Sequence, residues 1–210
     1  MINRKKLFEG FRNSSLFKGK LTQIQVDTIN LFFDLFEERK TPINQQAYIL
    51  ATVHPETWYT WKPIEEKGKG VGKRYGMRIK YSGVRYNDTT NIFYGRGYTQ
   101  ATWYEIYQKL TVLAIAQGKD WNFLQKPDLL LIPKISAWAT LEGMELGLYT
   151  GYKLSRSVNK FRTDFYNARR VINGLDRAEE IAEYAKEILT IINQANEDDA
   201  INLASANTPS

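Results

Sequence analysis

Cysteine is absent from this chain, and histidine occurs once, as His54. The first absence removes disulfides, thiolate metal ligands and a cysteine nucleophile together. The second removes multi-histidine zinc sites. Folding has to succeed without covalent staples, as in a reducing compartment. Long apolar runs are also missing: none approaches the roughly 18 residues that a membrane-crossing helix needs. Residues 1–12 are basic, but Glu9 and Gly10 interrupt them before an apolar stretch forms, so they do not read as a signal peptide. The chain is therefore expected to be made in a cytoplasm, with no membrane span.

Acidic residues are missing from one extended stretch. Residues 67–85 hold seven basic side chains and no acidic one, in a chain of formal net charge +6. Such a balance favours anionic partners. A solvated basic loop and an electrostatic contact surface both fit the stretch. No nucleic-acid module motif accompanies it, so no nucleic-acid partner is expected.

What is present is a globular composition, 43% apolar over 210 residues, enough for one domain with a real core. The 5 Trp and 13 Tyr suit the apolar C–H faces of sugar rings, and are equally ordinary core material. Beyond residue 196 the sequence becomes polar, acidic and rich in small residues. A single domain over 1–196 is expected, with a loose tail over 197–210.

Residues 22–39 read as an amphipathic helix, opened by Thr22 and Gln25 at capping-box spacing and carrying Val26, Ile29, Phe33 and Phe36 at helical intervals. A second helix is expected from Asn44 to His54, ended or kinked by Pro55. Residues 67–76 read as a Lys/Gly loop. Residues 75–81 and 84–86 flank Ser82-Gly83, a two-residue hairpin turn. Helical patterns resume from Thr99 and again over 134–148 and 155–172. A last helix is expected to be capped by Asp176, with Glu179 three residues later and Ile181, Tyr184, Ala185, Ile188 and Ile192 on its apolar face. The expected fold is mainly α with a small β component (α+β): two helical lobes, one small β-hairpin and a central cleft.

Three segments carry candidate chemistry. In the first, Glu56 leaves a helix end and Glu65 and Glu66 follow across Pro55 and Pro63, which lets the chain turn and face carboxylates across a groove. Glycosidic hydrolysis needs one protonated acid and one carboxylate. The second is Tyr94-Gly95-Arg96-Gly97-Tyr98-Thr99-Gln100-Ala101-Thr102-Trp103. Its glycines permit a sharp turn; Arg96 there either pairs an internal carboxylate or serves a ligand, and Gln100 and Thr102 are expected on the first helical turns. The third is Asn167-Ala168-Arg169-Arg170-Val171-Ile172-Asn173-Gly174, a helix end with Gly174 as C-cap.

Taken in order, these segments resemble family 19 glycoside hydrolases, the plant-type chitinases and their phage and bacterial lysozyme-like relatives. The resemblance begins at Gly19-Lys20-Leu21-Thr22-Gln23 and runs through Tyr48-Ile49-Leu50-Ala51-Thr52, Glu56-Thr57, Pro63-Ile64-Glu65-Glu66, the Tyr94–Trp103 segment and Pro127-Asp128-Leu129 to the Asn167–Gly174 segment and the helix after it. It covers roughly residues 17–190, and the tyrosine-glycine-arginine-glycine run is its most specific part.

The resemblance implies a lysozyme-like domain without cofactor or metal. It implies Glu56 as general acid and Glu65, or Glu66 if one residue is inserted, as general base. Gln100 and Thr102 would hold substrate and the attacking water, and Asn173 would line the substrate groove with Tyr94, Arg96 and Glu66. Arg169 or Arg170 would belong to the network around the acid. The family inverts anomeric configuration, which requires room for a water between the carboxylates. The sequence departs from the family pattern at three places. Pro55 stands where a histidine usually precedes the acid, Trp58 and Tyr59 replace glycines after it, and Ile106 replaces an asparagine.

The lack of cysteine points away from secreted chitinases, and the Gly19–Gln23 opening resembles the phage-associated branch. The expected substrate is bacterial peptidoglycan, cut by a monomeric endolysin or a virion-associated lysozyme that other components carry to the cell wall. A chitinase of the same family, and a wall-binding or virion structural protein keeping the fold without catalysis, are the alternatives.

Overall fold

The computed structural model describes residues 2–73, 75, 80–81, 84–85 and 92–206. In chain order the described helices and strands are α1 (Arg4–Asn13), α2 (Gln23–Arg39), α3 (Ile43–Glu56), β1 (Ile64–Glu65), β2 (Lys80–Tyr81), β3 (Val84–Arg85), β4 (Arg96–Gly97), α4 (Tyr104–Ala116), α5 (Pro133–Leu146), β5 (Val158–Asn159), β6 (Arg162–Thr163), α6 (Phe165–Ala168) and α7 (Ala178–Ala206). The fold is mainly α. The strands form three antiparallel pairs, β1 with β4, β2 with β3 and β5 with β6. The expected hairpin is β2–β3, with Lys80 opposite Arg85 and Tyr81 opposite Val84. Its turn, Ser82-Gly83, lies outside the described residues, as does much of the basic stretch that contains it.

The chain divides into two compact units. The first comprises residues 1–52, 155–169 and 174–210; the second comprises 53–154 and 170–173. In the first unit α1 and α6 both pack on α7. Gly10 lets α1 come close, because a Cβ there would meet Ile191 Cγ2 at 2.6 Å. Asn3 caps α1, its side chain accepting from the Lys6 N–H. The expected capping box opens α2: Thr22 Oγ1 accepts from the Gln25 N–H and Gln25 Oε1 accepts from the Thr22 N–H. Its buried face carries Ile29, Phe32, Phe33 and Phe36. The start of α3 is tied to the β5–β6 hairpin, where Asn44 donates to the Asn159 carbonyl at 2.8 Å and Gln45 to the Val158 carbonyl at 2.7 Å.

The second unit has its own apolar cluster, in which Phe93, Tyr104, Tyr107, Leu110, Phe123, Leu130 and Trp138 are buried. Helix α5 starts at a proline, whose fixed φ suits the first helical position, and ends at Gly147 with φ 71°. Helix α3 runs two residues past the expected end at His54, to Glu56, because a proline near the C-terminal end removes only one backbone hydrogen bond.

Three expectations are corrected. Residues 155–172 are not one helix. Asn159 accepts from the Phe161 N–H at 2.9 Å and donates to the Ser155 carbonyl at 2.8 Å. This local side-chain bonding builds a turn in competition with the helix. Helical structure there is limited to α6 and two single tight turns, Leu154–Arg156 and Arg169–Val171. Gly174 is not among the glycines with positive φ, so it is no left-handed cap. Helix α7 starts at Ala178, leaving the Asp176 carbonyl to accept from Arg169 Nε at 2.9 Å. At its other end α7 runs to Ala206.

Candidate functional site

Within the second unit, Glu56 closes α3, and a tightly bonded turn follows it. Thr57 Oγ1 donates to the Val53 carbonyl at 2.8 Å and accepts from the Trp61 N–H at 3.1 Å. The Tyr59 N–H donates to the His54 carbonyl at 2.9 Å. Trp58, Tyr59 and Trp61 all lie in the left-handed region, with φ 51°, 64° and 60°. For non-glycine residues this conformation costs on the order of 1–2 kcal/mol each. Two of them are the positions where the resembled family carries glycine.

The Tyr94–Trp103 segment folds as a compact loop, and its glycines have geometric reasons. A Cβ on Gly95 would meet Gln100 Oε1 at 2.9 Å, and Gly97 has φ 90° with Ser136 Oγ 2.7 Å from the place of its Cβ. Arg96 is buried. Its guanidinium donates to Asp128 at 2.8 Å, the Ile92 carbonyl at 2.6 Å and the Tyr107 hydroxyl at 3.1 Å, and stacks over the Tyr94 ring at 3.6 Å. It is therefore an internal brace rather than a ligand-facing group. Gln100 and Thr102 stand before α4, not on its first turns, because Gln100 at φ 52° and Trp103 at φ 76° keep the chain non-helical until Tyr104. Gln100 Nε2 donates to the Ile64 and Gly97 carbonyls at 2.9 and 3.2 Å, and Thr102 Oγ1 donates to the Gln100 carbonyl at 2.7 Å.

A pocket of about 400 Å³ lies in this unit, lined by Glu56, Tyr75, Thr99, Gln100, Thr102, Trp103, Ile106, Tyr149, Ile172 and Asn173. Four of the expected site residues therefore line one cavity: Glu56, Gln100, Thr102 and Asn173. Glu56 is half-buried and Asn173 exposed. Ile106, where the resembled family has asparagine, makes that part of the wall apolar.

Glu65, Glu66, Tyr94 and Arg96 do not line the cavity. Glu65 sits on β1 opposite Arg96 of β4. It accepts from the Tyr94 hydroxyl at 3.0 Å and pairs with Lys69 at 3.4 Å. The Glu66 carboxylate accepts from the Gly95 N–H and from the Tyr75 hydroxyl, both at 3.2 Å, and its own N–H donates to the Gly95 carbonyl, which fixes it against that loop. Tyr75 is a wall residue, so Glu66 reaches the pocket through a phenol. Burial raises the Tyr75 hydroxyl pKa, and the charge and hydrogen bond of Glu66 raise it further. Burial likewise raises that of Tyr94; Arg96 opposes the shift and the Glu65 hydrogen bond adds to it.

Sequence reasoning missed Tyr75, Thr99, Trp103, Tyr149 and Ile172 as wall residues. Trp103 was within reach, since it ends the glycine-arginine segment. Tyr149 had no signal: it comes from beyond α5, laid against Gly143, and its hydroxyl donates to the Ala139 carbonyl at 2.8 Å. Among the described residues no group of three or more acidic, histidine or cysteine side chains is placed to hold a metal ion. No described helix is long and apolar enough to cross a membrane. Comparison with family models, with curated proteins and with solved structures finds no match.

Proposed function

We propose that this chain is a glycoside hydrolase that cuts the glycan strand of bacterial peptidoglycan by inverting acid/base hydrolysis. The observation that carries the reading is the shared pocket: Glu56, Gln100, Thr102 and Asn173 come from three separated segments and line one cavity of about 400 Å³ with Tyr75 and Trp103. These are the segments on which the family resemblance rests. A pocket with one carboxyl, neutral hydrogen-bonding side chains and aromatic walls suits a polyhydroxylated ring.

In this reading Glu56 gives its proton to the glycosidic oxygen as the C1–O bond breaks. A water attacks C1 from the opposite face and loses a proton to Glu65, leaving the product with inverted configuration. Gln100 donates two amide hydrogen bonds to carbonyls, which directs its Oε1 to accept from water or substrate. A second assignment of the base rests on Glu66, because its carboxylate is bound by Tyr75, a wall residue.

Clearing of outer-membrane-stripped bacteria, run beside release of sugars from colloidal chitin, tests the reading. The parent protein is expected to clear the cells, and Glu56→Gln to lose at least about 10²-fold in rate. Chitin turnover without clearing would make it a chitinase of the same family. Sacculus binding with neither activity would make it a wall-binding or virion structural protein.

A further inference from the structure

Three aromatic residues after Glu56 share a left-handed backbone, and two of them have a packing reason for it. Trp61 is fully buried and donates its indole N–H to His54 Nδ1 at 2.9 Å. Tyr59 sets its ring edge-on to His54 at 4.9 Å. Trp58 has no such reason. It is 48% exposed, and what lies on its ring is the Lys67 ammonium, 4.8 Å from the centroid. Glycine would adopt φ 51° without strain, so a large ring held there half in water costs stability. Strain retained at an exposed side chain next to a reactive group points to a ligand.

Lys67 supplies the second half of the argument. Its neighbour Lys69 is paired with Glu65 at 3.4 Å. Lys67 meets no carboxylate among the described residues; its contact is the Trp58 ring. The pair therefore combines an apolar aromatic surface, on the second residue after Glu56, with a cation that no described carboxylate compensates. A neutral pyranose offers the cation only neutral acceptor oxygens, for which a glutamine amide would serve as well. A pyranose bearing a carboxylate also offers it an opposite charge.

We propose that Trp58 and Lys67 form a subsite for an acidic sugar, which recognises the carboxylate-bearing sugar of a peptidoglycan strand and selects that polymer over a neutral chain of N-acetylglucosamine. The proposal deepens the assignment above and rests on it for the identity of the polymer. It also gives a use to the replacement of glycine by Trp58.

The test reads binding rather than turnover. Tryptophan fluorescence of the Glu56→Gln protein is titrated with three disaccharides: N-acetylglucosaminyl-N-acetylmuramic acid, the same compound with its carboxyl reduced to an alcohol, and chitobiose. The acidic disaccharide is expected to bind up to about fivefold more tightly than the two neutral ones, the range of an exposed ion pair. Lys67→Gln is expected to erase that preference and leave neutral binding intact. Trp58→Gly is expected to weaken all three while keeping the fold, since glycine suits that backbone. Equal affinity for the acidic and reduced compounds overturns the proposal, as does a preference that survives Lys67→Gln. Unimpaired lysis by Glu56→Gln would instead overturn the catalytic assignment, an outcome these affinities do not produce.

Discussion

Trp61 Nε1 donates to His54 Nδ1 at 2.9 Å, joining the chain's one histidine to a fully buried indole. An indole nitrogen only donates, so His54 Nδ1 must be the unprotonated nitrogen and Nε2 carries the hydrogen. This makes His54 a neutral structural partner that holds the turn after Glu56. His54→Phe keeps the bulk and strands the indole N–H in the interior. The expected loss is about 1–3 kcal/mol of stability, read by thermal or urea unfolding. An unchanged unfolding midpoint would mean that the bond contributes nothing.

The choice of base between Glu65 and Glu66 is open to direct substitution. Glu65→Gln is expected to lower the lysis rate by about 10²–10⁴. Glu66→Gln keeps an acceptor oxygen for the Gly95 N–H and can donate its amide to the Tyr75 hydroxyl oxygen, so it is expected to retain the fold and most of the activity. A dead Glu66→Gln beside an active Glu65→Gln would exchange the two roles. Circular dichroism on both variants checks that any loss is chemical.

Arg96 and Asp128 form an ion pair at 2.8 Å whose two ends are unequal: the arginine side chain is 5% exposed and the aspartate 74%. Removing the aspartate leaves the guanidinium its bonds to the Ile92 carbonyl and the Tyr107 hydroxyl. Removing the planar fork abandons all of them at once, and lysine cannot reproduce it. Arg96→Lys is therefore expected to destabilise by roughly 3 kcal/mol, counted from charge-assisted hydrogen bonds, and Asp128→Asn by about 1 kcal/mol or less. Denaturant midpoints compare the two; similar losses would show that the aspartate is the controlling partner.

The parts legible in the sequence were those written in local chemistry. The Thr22–Gln25 box and the apolar stripe of α2 depend on residues within a few positions of one another, and they fold as read. The glycines at 95 and 97 announced a tight loop. The left-handed residues at 58, 59, 61, 100 and 103 carry no such notice, because none of their residue types favours that backbone. That is why Gln100 and Thr102 were placed on a helix that begins only at Tyr104. The Asn159 turn broke a helical pattern by the same kind of side-chain bonding that caps create elsewhere. Tyr149 reaches the pocket wall by long-range packing, which periodicity does not encode.

Asp164 offers a pH-dependent prediction. It caps α6, with Oδ1 accepting from the Asn167 N–H at 3.0 Å and Oδ2 from Asn167 Nδ2 at 2.9 Å, and it pairs with Arg162. Burial alone would raise its pKa, but these hydrogen bonds and the Arg162 charge outweigh it and hold the carboxyl below its ordinary value. A carboxyl depressed in the folded state binds protons more readily when unfolded. Its contribution is therefore fully present above the unfolded pKa, near pH 4, and fades as pH falls through the lower folded value. Asp164→Ala is expected to cost about 1 kcal/mol at neutral pH, the usual worth of an N-cap. Below about pH 4 the gap between parent and variant should narrow, because protonation weakens the same bonds that the substitution removes. Urea unfolding of both proteins at pH 7, 5 and 3 measures the gap. A difference that stays constant across the three values would show that the cap acts through its shape and not its charge.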